Sequence, residues 1–205
     1  MPVSGPPRNV PGMPMITIEP ATSDRFDDVE QTFDNGGDGR GCQCQWWMIP
    51  NVEFQRISTE DRKGLLKNEL DAGPPPALIA SVDGEAAGWV RVGPRVRQVR
   101  IARTREIAGA TVQPLDDPSV WSVSCFVVRK EHRGLGLTAA LLDAALTHAR
   151  QEGARVLEAY PIDATVGKHS PNELYRGVLS VFLAAGFTEV ARPRPDRALV
   201  QLDLT

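Results

Sequence analysis

A mixed α/β fold is what this 205-residue chain predicts, on three features of its pattern. Apolar runs flank Asp83–Gly84, a pair that tolerates positive φ and marks a two-residue hairpin turn. A strongly apolar stretch, VWSVSCFVV (120–128), leads through a glycine-bearing turn into a long helical pattern and then into a second strand, RVLEAY (155–160). Hairpin-linked strands early and a strand–helix–strand unit late combine antiparallel and parallel pairing.

Each element has its own signal. MITIE (15–19) alternates apolar and polar residues and predicts a first strand. Ser23 or Asp24 caps a helix through Phe26, Val29 and Phe33, which NGGDGRG (35–41) interrupts. CQCQWWMIP is apolar and aromatic without a clear period. Ser58 and Asp61 have the spacing of a capping box and open a helix through Leu65, Leu66 and Leu70, which Pro74–Pro76 stop. The hairpin strands fall at about 77–82 and 86–92. The basic stretch RVRQVRIARTRE and a loop ending DDPS then lead to the 120–128 strand. The following helix carries an apolar stripe through Leu137, Leu141, Ala144, Ala145 and His148, with Gly153 in the position of a C′ glycine. Ser170 to Glu173 form a second capping box with proline at the first helical position, predicting a helix that reaches Ala185 unless Gly177 delays it. Residues 187–190 and 198–202 predict two last strands.

Composition narrows the function. Twenty-three basic against 26 acidic residues leave a net charge of −3, which argues against a nucleic-acid-binding surface. No apolar stretch approaches the roughly 18 residues of a membrane helix. MPVSGPPRNVPGMP lacks a signal peptide's apolar core, so residues 1–14 are expected to form a flexible arm ahead of one domain, 15–205. Three cysteines without disulfide spacing fit a reducing, cytoplasmic setting. Cys42 and Cys44 lack the second Cys/His pair of a zinc site, so packing beside Trp46 and Trp47 is expected and a metal is not.

Residues 132–142, HRGLGLTAALL, pose the functional question. Glycine disfavours a helix interior, so Gly134 and Gly136 serve the turn before the helix. A strand, a glycine turn and a helix N-terminus make an anion site: the first amides have no internal partner and the dipole is positive there. The alternative is a plain tight turn. A Walker loop would need Gly-Lys-Ser/Thr, and Gly136 is followed by Leu137–Thr138; a dinucleotide fingerprint needs a third glycine that is absent.

VVRKEHRGLGLTAALL resembles the Arg/Gln-x-x-Gly-x-Gly/Ala signature of the GNAT superfamily of acyl-CoA-dependent N-acetyltransferases, through Val128, Arg133 and Gly136, with Thr138 in place of the small last residue. The family's later Tyr-x-x-x-Gly-Phe is matched by Phe182 to Phe187. CQCQWW, GWVRVGP and LEAYP look like an actinobacterial-type branch of it. The resemblance implies a central, mostly antiparallel sheet of about six to seven strands flanked by helices, splayed between the 120–128 and 155–160 strands. It implies acetyl-CoA as co-substrate and direct transfer of the acetyl group to a primary amine of a small molecule or peptide. The cofactor-binding set is then Phe126, Val127 and Val128, whose backbone pairs with the pantetheine arm, Arg133, Gly134, Leu135, Gly136, Leu137, Thr138 and Ala139, which cradle the pyrophosphate, and Phe182 from the late helix. The partners are acetyl-CoA and the amine acceptor, without nucleic acid or membrane; monomer and homodimer stay open. A non-catalytic acyl-CoA sensor on the same fold is the alternative, motivated by Phe182 where the family often has a tyrosine acid.

Amide formation needs the amine deprotonated, the oxyanion stabilised and the thiolate protonated. A backbone N–H near Phe126 is the natural oxyanion donor. Tyr175, two turns before Phe182, is the candidate acid, or a tyrosine that merely packs; Tyr160 is a lesser one. Glu158, inside an apolar strand, is the candidate base through a raised pKa, or an edge residue facing solvent. Ser124, on one strand face with Ser122, could relay a proton or simply be small; Asp163 is a further possibility. His132 could touch a phosphate or stand in a solvated loop, His148 belongs to the helix stripe, and Arg95, Arg97, Arg100, Arg103 and Arg105 predict a solvated basic face or a contact to the coenzyme's 3′-phosphate or an acidic acceptor.

Overall fold

A computed structural model describes residues 14–34 and 38–205; the expected arm, apart from Pro14, and residues 35–37 of the glycine-rich break lie outside the described residues. These residues build a seven-stranded sheet in the order β1-β2-β3-β4-β5-β7-β6: β1 Ile16–Pro20, β2 Ala77–Val82, β3 Glu85–Pro94, β4 Val120–Val128, β5 Val156–Ala159, β6 Thr188–Arg194 and β7 Arg197–Asp203. Only β4 and β5 pair in parallel, and the connection between them is the crossover helix α7, Leu137–Gln151, the length of link that parallel pairing requires.

The two faces bury different sets. Alternation sends Leu78, Ala80 and Val82 of β2 to the α7 face, where they meet Leu137, Leu141, Leu142 and Ala145. Ala77 and Ile79 point the other way, toward Val29 and Phe33 of α1 (Phe26–Phe33) and Leu66 and Leu70 of α4 (Thr59–Ala72). Ser58 caps α4 as expected, its hydroxyl accepting from the Asp61 amide while the Asp61 carboxylate accepts from the Ser58 amide.

Two expectations give way. The break after α1 contains a short helix, α2 (Asp38–Cys42), and the apolar segment beyond leads into α3 (Asn51–Arg56). The basic stretch folds into two short helices, α5 (Val99–Arg103) and α6 (Arg105–Ala108); Arg95 and Arg100 are buried, and only Arg97, Arg103 and Arg105 match the solvated face. The helix that could have run from Pro171 to Ala185 starts late, the alternative that Gly177 offered: a 3-10 turn at Glu173–Arg176 precedes α8 at Leu179–Ala184. Gly177, at φ 80°, separates them; a Cβ there would lie 2.7 Å from the Phe182 ring.

Candidate active site

The opening that organises the site is a consequence of register. β5 pairs with β4 only from Val120 to Val123, whereas β4 runs on to Val128, so the two strands part at their C-terminal ends. At the same point β4 carries an extra residue: Arg91 of β3 faces Cys125 and Val92 faces Val123, leaving Ser124 as a bulge. Beyond it Cys125 joins the α1-side cluster and Phe126 the α7-side one.

A cavity of about 1030 Å³ fills this opening. One wall is Cys125 to Lys130 of β4 and its exit; the floor is His132, Arg133, Gly134 and Gly136 with Leu137, Thr138 and Ala139 at the start of α7. Leu174, Tyr175, Gly177 and Val178 form a second wall, and Phe33, Cys42, Cys44, Trp46, Trp47 and Phe54 complete the lining as an aromatic roof. Gly134 and Gly136 sit at φ 84° and 75°, a left-handed backbone that only glycine adopts cheaply. A Cβ built on either would meet nothing within 4 Å, so the turn is open above them. Among the described residues no side chain caps α7.

Nine of the expected coenzyme contacts therefore line one cavity: Phe126, Val127, Val128, Arg133, Gly134, Gly136, Leu137, Thr138 and Ala139. Leu135 is on the surface and outside the lining, and Phe182 is fully buried in the core, edge-on to Phe126 and Phe187. The aromatic pair Trp46 and Trp47 is held by cations: the Arg100 guanidinium lies 3.8 Å over Trp46 and that of Arg176 4.7 Å over Trp47.

The acid–base candidates separate. Tyr175 faces the cavity, its hydroxyl accepting from Arg176 Nε at 3.0 Å; burial raises its pKa, which keeps the phenol protonated. Glu158 is elsewhere, sealed beneath the sheet: Arg95 donates to it at 2.7 Å, Gln201 at 2.6 Å and Tyr160 at 3.0 Å, and Thr111 donates as well. Neither the solvent-facing alternative nor a position beside the cleft describes it, and Tyr160 serves the same network. Ser124 is buried with no hydrogen-bond partner for its hydroxyl among the described residues, outside the lining, and its carbonyl accepts from Trp47 Nε1 at 3.0 Å. Asp163 is held outside by Arg192 and Thr165, and His148 packs edge-on against Trp121.

What sequence reasoning missed is the setting of Cys44. Its Sγ accepts from Trp89 Nε1 at 3.2 Å and from Arg91 Nε at 3.1 Å, and the Cys125 thiol adds a third hydrogen bond. Arg91 also forms a bidentate pair with Glu69 at 2.7 and 2.9 Å. Burial disfavours the Cys44 thiolate, but the Cys125 hydrogen bond and the charge and hydrogen bonds of Arg91 and Trp89 outweigh it, bringing the pKa down to about 6. Burial, with Cys44 beside it, pushes Cys42 up to about 11, and the hydrogen bond to Cys44 together with burial pushes Cys125 well above its ordinary value. The available signal was Arg91 itself, a charge inside the apolar run GWVRVG that had to find a partner.

Comparisons agree with this geometry. The chain aligns over 93 % of its length with yncA of Salmonella typhimurium, solved with its cofactor acetyl-CoA (18 % identity, 94 % of that chain, TM-score 0.54). It likewise aligns over 93 % with an N-acetyltransferase from Staphylococcus aureus Mu50 (14 % identity, 99 % of that chain, TM-score 0.54). The ribosomal-protein-S18-alanine N-acetyltransferase of Escherichia coli is similar over the same share (12 % identity, 95 % of that chain, TM-score 0.52). At such identities the likeness is one of fold. A search of curated proteins by sequence finds no match. Among the described residues no helix is long and apolar enough to cross a membrane. The profile of the acetyltransferase (GNAT) family matches residues 43–170, and the chain belongs to that family.

Proposed function

We propose that this chain is an acetyl-CoA-dependent N-acetyltransferase that acetylates a primary amine of a small molecule or peptide. One observation carries the reading: the edge of β4 freed from β5 and the glycine turn before α7 line the same cavity. A coenzyme needs both, an unpaired strand edge for the amides of its pantetheine arm and bare helix amides for its diphosphate. In this reading Arg133 and the amides from Gly134 to Ala139 hold the diphosphate, with the Thr138 hydroxyl as a further donor, and the backbone of Phe126 to Val128 aligns the arm. An amide near Phe126 faces the developing oxyanion, and the protonated Tyr175 gives the departing sulfur its proton. The aromatic roof and the Tyr175 wall close the acceptor's side.

Acetyl-CoA at millimolar concentration is expected to raise the melting temperature, as any ligand selective for the native state must. Release of free thiol across a panel of small amines and peptides then tests turnover. Stabilisation without turnover on a broad panel would favour the sensor alternative; no stabilisation would remove both readings.

A further inference from the structure

Arg176 is placed for Tyr175 rather than for an ion pair. The two are neighbours in the 3-10 turn Glu173–Arg176, where successive side chains point about 120° apart, so contact between them is not the default. Here the Arg176 side chain turns back on its neighbour: Nε donates to the Tyr175 hydroxyl oxygen at 3.0 Å. The guanidinium is held 4.7 Å over the Trp47 ring, and the Trp47 indole donates to the carbonyl of Ser124, the bulged residue of β4. A line of contacts therefore runs from the strand whose free edge lines the cavity to the oxygen of the cavity's phenol. Among the described residues Arg176 has no ion-pair partner, and the O–H of Tyr175 has no acceptor, since its oxygen only accepts. Burial lowers the Arg176 pKa, and the group that most opposes this is Tyr175, so a phenolate there would be its counter-ion.

Resting on the acetyltransferase reading above, we infer that Arg176 is the positioning residue of the proton-transfer step: it fixes the Tyr175 oxygen, leaves that hydroxyl's single proton for the departing sulfur, and offsets the charge of the phenolate that results. Transfer stays direct. The amine nitrogen bonds to the carbonyl carbon of acetyl-CoA, and the adduct collapses with cleavage of the carbon–sulfur bond. The Tyr175 O–H bond breaks and an S–H bond forms on the coenzyme. The nitrogen's surplus proton then restores the phenol, so amine plus acetyl-CoA gives amide plus CoA with nothing oxidised or reduced. Arginine suits the place because its planar fork donates through Nε while its face stacks on an indole, which an ammonium cannot do. Without the cation a buried phenol is a poor donor, because its ionised form is disfavoured. The other charged or titratable groups around the hydroxyl are Arg100 and the thiols of Cys42 and Cys125, with Cys44 in the same cluster, while Glu106 and Arg197 bear on Arg176 itself. Among the described residues Arg176 alone hydrogen-bonds to the hydroxyl.

The chain has two tyrosines, so full-length protein made with 3,5-difluorotyrosine, a more acidic phenol, shows two ring environments by fluorine NMR, and Tyr175→Phe assigns them. Arg176→Gln is expected to raise the Tyr175 midpoint by about one pH unit or more, the effect of removing an adjacent opposite charge. Arg176→Lys, which keeps the charge without the fork, should raise it by less, and decides the question alone if the glutamine variant does not fold. Both variants should keep the thermal stabilisation by acetyl-CoA. With the panel amine that releases CoA fastest, Arg176→Gln should lower kcat by about tenfold and leave the KM for acetyl-CoA within about twofold. In a Tyr175→Phe background the same change should cost nothing further, because it acts through the hydroxyl. An unchanged midpoint in a folded Arg176 variant, or single losses that multiply in the double variant, would overturn the role of Arg176 and leave the acetyltransferase reading standing. A shifted midpoint with no amine turned over would overturn the acetyltransferase reading, and the proton-transfer step with it.

Discussion

Arg95 donates to the Glu158 carboxylate at 2.7 Å across a sequence separation of 63 residues, with both side chains at most 1 % exposed. Three further donors, Thr111, Tyr160 and Gln201, complete the carboxylate's shell. An ion pair this enclosed is a structural unit, because removing one partner strands a charge out of water. Glu158→Ala is therefore expected to cost about 3–5 kcal/mol of folding free energy. Urea denaturation checks the loss, and calorimetry on the remaining folded protein should give an unchanged affinity for CoA. A variant of normal stability that had lost turnover would return Glu158 to the reaction.

The glycine turn makes a second prediction. Gly136→Ala places a side chain at φ 75°, where an L-residue loses about 1–2 kcal/mol, although the added methyl meets no neighbour. The same change sets a methyl over amides that face the cavity, so coenzyme affinity should fall by about tenfold, equivalent to about 1.4 kcal/mol. Differential scanning calorimetry and a CoA titration measure the two effects separately.

Arg133 is exposed and lines the cavity floor. Arg133→Ala should weaken CoA binding by about three- to tenfold, since a single exposed charge on a phosphate contributes modestly and is screened by salt. The difference from wild type should shrink between low and high ionic strength while Tm stays the same. An unchanged dissociation constant at low salt would move the phosphates elsewhere.

At Gly177 two effects combine. A methyl there would lie 2.7 Å from the Phe182 ring and 3.1 Å from that of Phe126, an overpacking worth about 1–3 kcal/mol. The left-handed backbone at φ 80° adds about 1–2 kcal/mol. Gly177→Ala should lower stability accordingly, and Phe182→Leu in the same chain should recover part of the loss, measured by chemical denaturation.

Local chemistry made much of this fold legible. The Ser58–Asp61 box, the Asp83–Gly84 hairpin and the apolar stripe of α7 are all decided within a few residues, and each stands where the pattern put it. The glycine turn was legible for the same reason, and with it most of the cavity floor. The acid–base candidates were not. Whether Glu158 faced a cleft, solvent or Arg95 depended on a loop folding back over the sheet, and no spacing along the chain encodes that contact. Cys44 is the same case: its donors Trp89 and Arg91 come from a strand more than forty residues away. The delay of the late helix at Gly177 was legible as an alternative, although the crowding by Phe182 around that glycine is visible only in three dimensions.

Cys44 also sets a pH dependence. Its pKa falls from 9.0 to about 6, burial opposing the shift and Cys125, Arg91 and Trp89 outweighing it, with Cys42 beyond them as a neutral thiol and Glu69 on the far side of Arg91. The folded chain thus holds the thiolate above about 6, whereas the unfolded chain does so only above 9.0. The stability this contributes is present in full above the unfolded value and is lost as pH falls through the folded one. Alkylation of Cys44 by iodoacetamide, followed by mass spectrometry, should rise through a midpoint near 6 and level off, and Arg91→Gln should shift that midpoint upward. A midpoint near 9 in the wild-type chain would mark an ordinary thiol.

The claim beneath all of these is that the amides opening α7 grip the diphosphate of a coenzyme whose arm lies along the free edge of β4. A crystal structure grown with coenzyme A tests it most directly. The account predicts the diphosphate over Gly134 to Ala139 and the pantetheine beside Phe126 to Val128. Coenzyme bound at another face, or the turn filled by the chain's own side chains with no coenzyme in the cavity, would contradict it.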